Sequence, residues 1–457
     1  MSSALRNRNS VRTRVSSLAS MGLVLWALAI AGPSVAESGS QPASGGAHPT
    51  FSREVLPLLQ AHCQECHRPG QIAPMSFLDY QQVRPWAKAI RKAVLDRSMP
   101  PFRVNAPLGH FEGDLRLTDD EVGTLVSWID GGALEGNPAD APPPRTWPSN
   151  EWVAGKPDLV LEFPEFTTKS NNKDEELLLY SNYLFPADTW TQAIEFRLND
   201  YTVVHHAGIS SVDNTFFVPE DRVIDSEDEH LDKFGGASNG GLPLIGQTHL
   251  YTWLPGQNVM SHPDGEGFNI VAGNRIVIQI HIAPTTEAKR IKVELGLRFV
   301  NGELRTNGGL KVSQMKQLRV PPGAPSYVLH EWRQFNNNVT VNGFNAHMHL
   351  RGKSSQIIFH YPDGHDETVL DVPHYDFNWQ RIYKLTTPMQ VPKGTKIEFV
   401  AEWDNSADNP LNPDPAAELT WGGRTTDEMY GGNVYFSVPR VRPVRVAEGR
   451  IVDAPAP

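Results

Sequence analysis

The sequence predicts a multidomain chain: a small all-α domain followed by two all-β domains of the antiparallel β-sandwich, jelly-roll-like class. Three observations lead there. Before residue 135 the apolar residues recur at helical spacing, whereas from residue 157 they fall into short alternating or β-branched runs separated by turn residues. A Pro-rich stretch with APPPRTWP at its centre divides the two textures. The strand-patterned part, about 290 residues, is longer than one sandwich usually needs. The predicted division is a signal peptide over 1–36, a flexible linker over 37–48, the helical domain over 49–134 and a Pro-rich linker over 135–156. Two sandwiches follow over 157–312 and 313–445, with a tail over 446–457.

The first segment carries Arg6, Arg8, Arg12 and Arg14 without an acid, then the apolar run MGLVLWALAIAG and the small residues SVA ending at Ala36. That order is a secretory signal with cleavage expected after Ala36, so a periplasmic or secreted location follows. The apolar run is too short to span a bilayer, and no membrane association is expected after cleavage. A formal charge of −11 argues against a nucleic-acid partner.

In the helical part, Phe51 to His62 places Val55, Leu58 and Leu59 on one side. Tyr80 to Ser98 repeats the pattern with Val83, Ala87, Ile90 and Val94. Thr118 to Asp130 opens on TDDE, a capping box between Thr118 and Glu121, buries Val122, Leu125, Val126 and Ile129, and stops at Gly131 and Gly132. In the β part, the strands read from the sequence are DLVLEF, YTVVHHAGISSV, RIVIQIHIA, KVELGLRFV, QIIFHYPDG, KIEFVAEW and NVYFSVPRV.

The chain's two cysteines both sit in CQECH, Cys63 to His67. Three chemistries compete for such a pair: a zinc half-site, a redox-active disulfide, and covalent haem, in which both thiols form thioethers and His67 ligates iron. The helical segment has no second CxxC or paired histidine for zinc, and no βαβ context for a thioredoxin-like site. Haem c is the expectation. Met99 in RSMPPF, just past the second helix, is the expected second axial ligand, with Met75 in IAPMSF as its rival. The segment resembles the cytochrome c domains fused to the front of other exported bacterial proteins.

Several of the 16 histidines sit in strand-like runs: His205 and His206 in VVHHAG, His281 in IVIQIHIAP, and His347 and His349 in NAHMHLRGK. Residues i and i+2 of a strand share a face, so His347 and His349 can converge on one ion. The adjacent pair His205 and His206 needs a local twist or bulge to do so. Imidazoles joined by a thioether from Met429, in TTDEMYGG, suit copper.

The ordered set HH, QIH, HMHLRGK and DEM resembles the copper type II monooxygenases, the peptidylglycine α-hydroxylating and dopamine β-monooxygenase family. The resemblance implies two copper ions. His205, His206 and His281 match an electron-transferring site in the first sandwich. His347, His349 and Met429 match the catalytic site in the second, where oxygen and substrate react, across a solvent-filled cleft that Gln279 helps to line. It implies R–H + O2 + 2 e− + 2 H+ → R–OH + H2O, with a small organic substrate and an external electron donor, ascorbate or a redox protein. The haem domain would be an in-line donor. Two departures stand out: the disulfides of the eukaryotic members are missing, and Asn345 stands where the peptide-amidating branch has an arginine.

A different class of function, a non-catalytic periplasmic electron-transfer or copper-binding protein, uses the same ligands. Asn405 to Pro415 reads as a rigid Pro/Asx turn loop, and His249 and His262, which flank the loop HLYTWLPG ahead of the His281 strand, read as exposed loop histidines, with support of the metal ligands as the alternative.

Overall fold

A computed structural model describes residues 48–147, 151–214, 222–225, 247–422 and 425–453. The expected signal peptide, all but His48 of the linker behind it, and the end of the tail lie outside these residues.

The helices form where the spacing predicts them. A π-turn over Phe51–Val55 runs into α1, Leu56–His62, which ends at Cys63. The second helical stretch is divided. α2, Tyr80–Val83, passes through a 3-10 turn, Arg84–Trp86, into α3, Ala87–Leu95. Pro85 lacks an amide hydrogen and cannot continue the ladder, which accounts for the interruption. α4, Asp119–Asp130, begins with both halves of the capping box: Glu121 N–H donates to the Thr118 hydroxyl at 3.2 Å, and Thr118 N–H donates to the Glu121 carboxylate at 2.7 Å. Val122, Leu125 and Trp128 are the buried residues of its inner face, and Val126 and Ile129 are only partly buried. The indole outcompetes the smaller side chains for the core, and truncating such a residue costs about 3–5 kcal/mol.

The described residues beyond α4 are built mainly on β-sheet. One ten-stranded sheet runs in the order Leu159–Glu162, Val293–Phe299, Thr189–Leu198, Glu266–Ile270, Gly302–Ser313, Tyr430–Ala447, Val339–Met348, Ile382–Val391, with two short strands off this path. A five-stranded sheet centred on Arg275–Ile282 covers one half. A four-stranded sheet of Tyr327–Gln334, Lys396–Trp403, Gly352–His360 and Asp366–Val372 covers the other.

Two apolar cores result, one joining residues such as Ile194, Leu295, Ile209 and Ile278, the other Val341, Phe344, Ile357 and Phe399. The halves meet where Thr306 and Asn307 pair in parallel with Glu266 and Gly267. Sandwich-like layering is therefore present, and a single continuous sheet passes through both halves.

His48–Pro457 clusters as one compact unit. Phe102, Val104 and Phe111, from the segment between α3 and α4, are buried in the second β core, and Glu112 N–H donates to the Lys384 carbonyl at 2.7 Å. The Pro-rich linker is fastened too: Arg145 donates to the Gln60 carbonyl at 2.6 Å, and Trp147 lies between the guanidinium groups of Arg68 and Arg145. Docking of this kind, rather than a tether, holds the helices against the sheets. Among the described residues no helix is long and apolar enough to cross a membrane.

Candidate metal centres and the cysteine cavity

The central strand of the five-stranded sheet carries His281, and its neighbour Val204–Val212 carries His205 and His206. Alternation would send adjacent histidines to opposite faces. The pairing avoids this: His281 faces His206, the next residue Ile282 faces Val204, and His205 is the extra residue of a β-bulge. The bulge turns both imidazoles to one side. His205 Nδ1 then lies 3.2 Å from Nδ1 of His281 and 3.2 Å from Nδ1 of His206, and one nitrogen from each ring lies within 4.8 Å of the others. Ligands about 2.0–2.1 Å from a tetrahedral ion stand roughly 3.3 Å apart, so the three nitrogens fit one ion. Asp174 accepts from His281 Nε2 at 3.0 Å, which puts the ring proton there and leaves the Nδ1 lone pair for a metal.

The second set is built on a ladder between Val339–Met348 and Tyr430–Ala447. His347 pairs with Gly431 and Met348 with Tyr430, and the register carried one step further brings His349 opposite Met429. Paired residues share a face, so His347, His349 and Met429 lie together. A Cβ on Gly431 would stand 3.3 Å from the His347 Cβ, a tight contact that the glycine avoids. Gln380 Oε1 accepts from His347 Nδ1, and Gln380 Nε2 donates to the Phe377 carbonyl at 2.8 Å, which fixes the amide's orientation. His349 Nδ1 donates to the Asp427 carbonyl at 3.2 Å. Both rings thus keep Nε2 available.

Glu428 holds this ladder end together. Its buried carboxylate accepts from the backbone N–H of His349 at 3.0 Å, Arg351 at 2.7 Å and Met429 at 3.2 Å, and from the Trp403 indole at 3.1 Å. Burial pushes its pKa up to about 7 against the pull of these donors.

Both sets border one cavity of about 370 Å³, lined by His206, His281, His347, His349 and Met429, with Gln279 and Asn345 among its walls. The rings of His206 and His347 stand only 5.9 Å apart between centroids, so the two sets nearly meet at one side. Phe377 lines the same cavity and packs against both sets, with its ring 5.2 Å from His205, 5.6 Å from His281 and 6.2 Å from His349.

Burial drives His205, His206, His347 and His349 toward the neutral form. His205 is lowered to about 3 by burial and then by His281, and His347 to about 4 by burial. His206 and His349 are also held well below the usual histidine value by burial. Neutral imidazole is the form that binds metal.

His249 is not on an exposed loop. It sits on the strand Gln247–Trp253 and lines this cavity, its Nε2 bonded to Thr252 Oγ1 at 3.0 Å. His262 is likewise largely enclosed, with Nδ1 2.6 Å from Glu266. Asn345 uses its amide to donate to the Gln380 and Arg381 carbonyls, both at 2.9 Å, and so anchors the loop that carries Phe377. Asn405 and Asn412 bond within and around their own turn loop, as the Pro/Asx reading expects.

A second cavity, about 870 Å³ and mainly apolar, is lined by Cys63, Cys66, His67, Met75 and Met99, with α3 as a wall. The thiols are unbonded to each other, and burial raises Cys63 to about 12 and Cys66 to about 11. His67 Nδ1 lies 3.2 Å from the Met75 carbonyl and its ring stacks on Phe77 at 4.2 Å, an arrangement that keeps Nε2 available. His62 also borders this space, but both its nitrogens are engaged, with the Leu115 carbonyl at 3.0 Å and Glu121 at 3.2 Å.

Sequence reasoning missed Asp174, Phe377, Gln380 and Glu428. Glu428 adjoins Met429 in the DEM motif and was legible as a neighbour; the other three carry no local signal.

No family model matches the sequence, and no curated protein matches it. Among solved structures, the VP2 subviral particle of infectious bursal disease virus is 9% identical, covering 64% of this chain and 77% of that one, at a TM-score of 0.20. The major capsid protein of bacteriophage PM2 is 6% identical, covering 62% and 97%, at 0.23. A two-domain protein from Bacteroides fragilis is 10% identical, covering 58% and 85%, at 0.14. Likenesses this slight carry no weight for fold or function.

Proposed function

We propose that the protein is an exported copper-dependent monooxygenase that hydroxylates a C–H bond of a small organic substrate with O2, its electrons supplied or relayed by a fused c-type haem domain. One observation carries the reading: two ligand sets, from different sandwiches, converge on a single cavity. His205, His206 and His281 would hold one ion through Nδ1, and His347, His349 and Met429 the other through two Nε2 atoms and a thioether. Copper accepts both donor sets and, when bound, supplies the one-electron chemistry that O2 needs.

The protein's own contribution is orientation. Asp174, Gln380 and the Asp427 carbonyl take the ring protons on the far side of His281, His347 and His349, so the lone pairs face inward. Phe377 packs an apolar ring against both sets, and Gln279, beside Glu176, offers polar atoms to a bound molecule.

For the helical part, Cys63 and Cys66 would carry haem as thioethers, with His67 as one axial ligand. The raised thiol pKa values support this over a redox-active pair, which needs thiolates stabilised near neutrality. Met99 would be the second residue to hold the iron, since it comes from the segment after α3 and Met75 belongs to the loop whose carbonyl already orients His67.

The test is metal and haem content of the exported protein, with oxygen uptake under a reductant before and after copper removal. One covalent haem, two coppers and copper-dependent uptake are expected. Haem without bound copper would overturn the assignment.

A further inference from the structure

The wall of the cysteine cavity opposite the helices is not apolar. Arg103 and Arg381 border it there, Arg381 from the second sandwich and Arg103 from the segment packed on it. The Nε of each guanidinium is buried and has no hydrogen-bond partner. Their other contacts are few: Arg103 Nη2 donates to Asp376 at 2.9 Å, and Arg381 Nη2 reaches the Gly113 carbonyl at 3.5 Å with its plane over Phe102. An unmade hydrogen bond on a buried charged donor costs about 1–3 kcal/mol or more, so two guanidinium groups with so few partners, both bordering one wall of one cavity, make that wall cationic and short of acceptors. Guanidinium groups match carboxylates best. The ligand this space fits is a broad apolar molecule with acidic groups at one edge.

We propose that Arg103 and Arg381 bind the carboxylate side chains of the tetrapyrrole, seating its acidic edge against the β-sandwich rather than the helices. The proposal rests on the haem reading of CQECH and adds the direction in which the ring lies. Its consequence is local. Asp376, which pairs with Arg103, and Arg381 bracket the loop that sends Phe377 onto His205 and Gln380 onto His347, so cofactor seating and the histidine centres share one loop. Burial lowers the pKa of Arg381, which an acidic partner would offset.

The experiment uses the full chain with Cys63→Ala and Cys66→Ala, so that binding is non-covalent and measurable by absorbance. It is titrated with iron protoporphyrin as the free dicarboxylic acid and as its dimethyl ester. The acid is expected to bind at least about ten-fold tighter than the ester, as one or two charge-assisted hydrogen bonds imply. Adding Arg103→Gln and Arg381→Gln should erase most of that difference. Equal binding of acid and ester in the arginine-containing protein overturns the proposal and leaves the haem reading standing. If neither form binds, both fall. In the mature haem protein, Arg381→Gln should lower the midpoint potential and Arg381→Lys should restore much of it; an unchanged potential in Arg381→Gln also counts against the assignment.

Discussion

The imidazoles of His206 and His347 lie 5.9 Å apart between centroids, although one stands on the five-stranded sheet of the first sandwich and the other on the ten-stranded sheet where it passes through the second. Their approach makes two ligand sets into one site. Each set is nevertheless held by its own strands, and each should lose metal separately. Elemental analysis is expected to find two coppers in the parent protein, one in His206→Ala and one in His347→Ala. Loss of both ions from either single variant would contradict independent centres.

Among the described residues, Met429 is the sole thioether bordering the histidine cavity. Met429→Ile keeps the volume and removes the sulfur, so oxygen uptake with product formation should disappear while the haem absorption spectrum stays unchanged. Undiminished product would refute the assigned oxygen site.

Glu428 satisfies three backbone N–H groups and the Trp403 indole in the interior. Glu428→Ala leaves these donors unpaired and should cost at least about 2 kcal/mol, read from urea unfolding. Copper bound by His347 and His349 should weaken, while the triad around His205 keeps its ion.

Burial holds His249 neutral, with its pKa lowered to about 4 from an ordinary 6.5. The unfolded chain takes up that proton first as pH falls, so stability present above pH 6.5 declines between about 6.5 and 4, by up to roughly 1.4 kcal/mol per pH unit. In copper-free protein the parent should lose stability over this window faster than His249→Gln. Parallel curves would show that His249 does not titrate there.

Much of this arrangement was legible in the sequence, for reasons of range. Thr118 and Glu121 interact within one turn, so the capping box could be read from four letters. The strands of RIVIQIHI and KIEFVAEW declare themselves by their alternation or β-branching, and His347 and His349 share a face because strand periodicity requires it. The need for a bulge at His205 and His206 was also implied, since no regular strand turns neighbours to one side.

Sequence alone determined the kinds of element, their order and the residues with chemistry to offer: a helical CxxCH segment, strand-borne histidines and one methionine beside an acid. Only the tertiary structure decided which of these meet. Asp174 faces His281, Gln380 faces His347 and Phe377 packs against both sets because separate strands and one loop are packed there. Such contacts join residues far apart in the chain, and local spacing has no means of recording them. The same holds for Arg103 and Arg381 at the cysteine cavity, whose buried, unpaired nitrogens exist only once the helices are docked against the sheet.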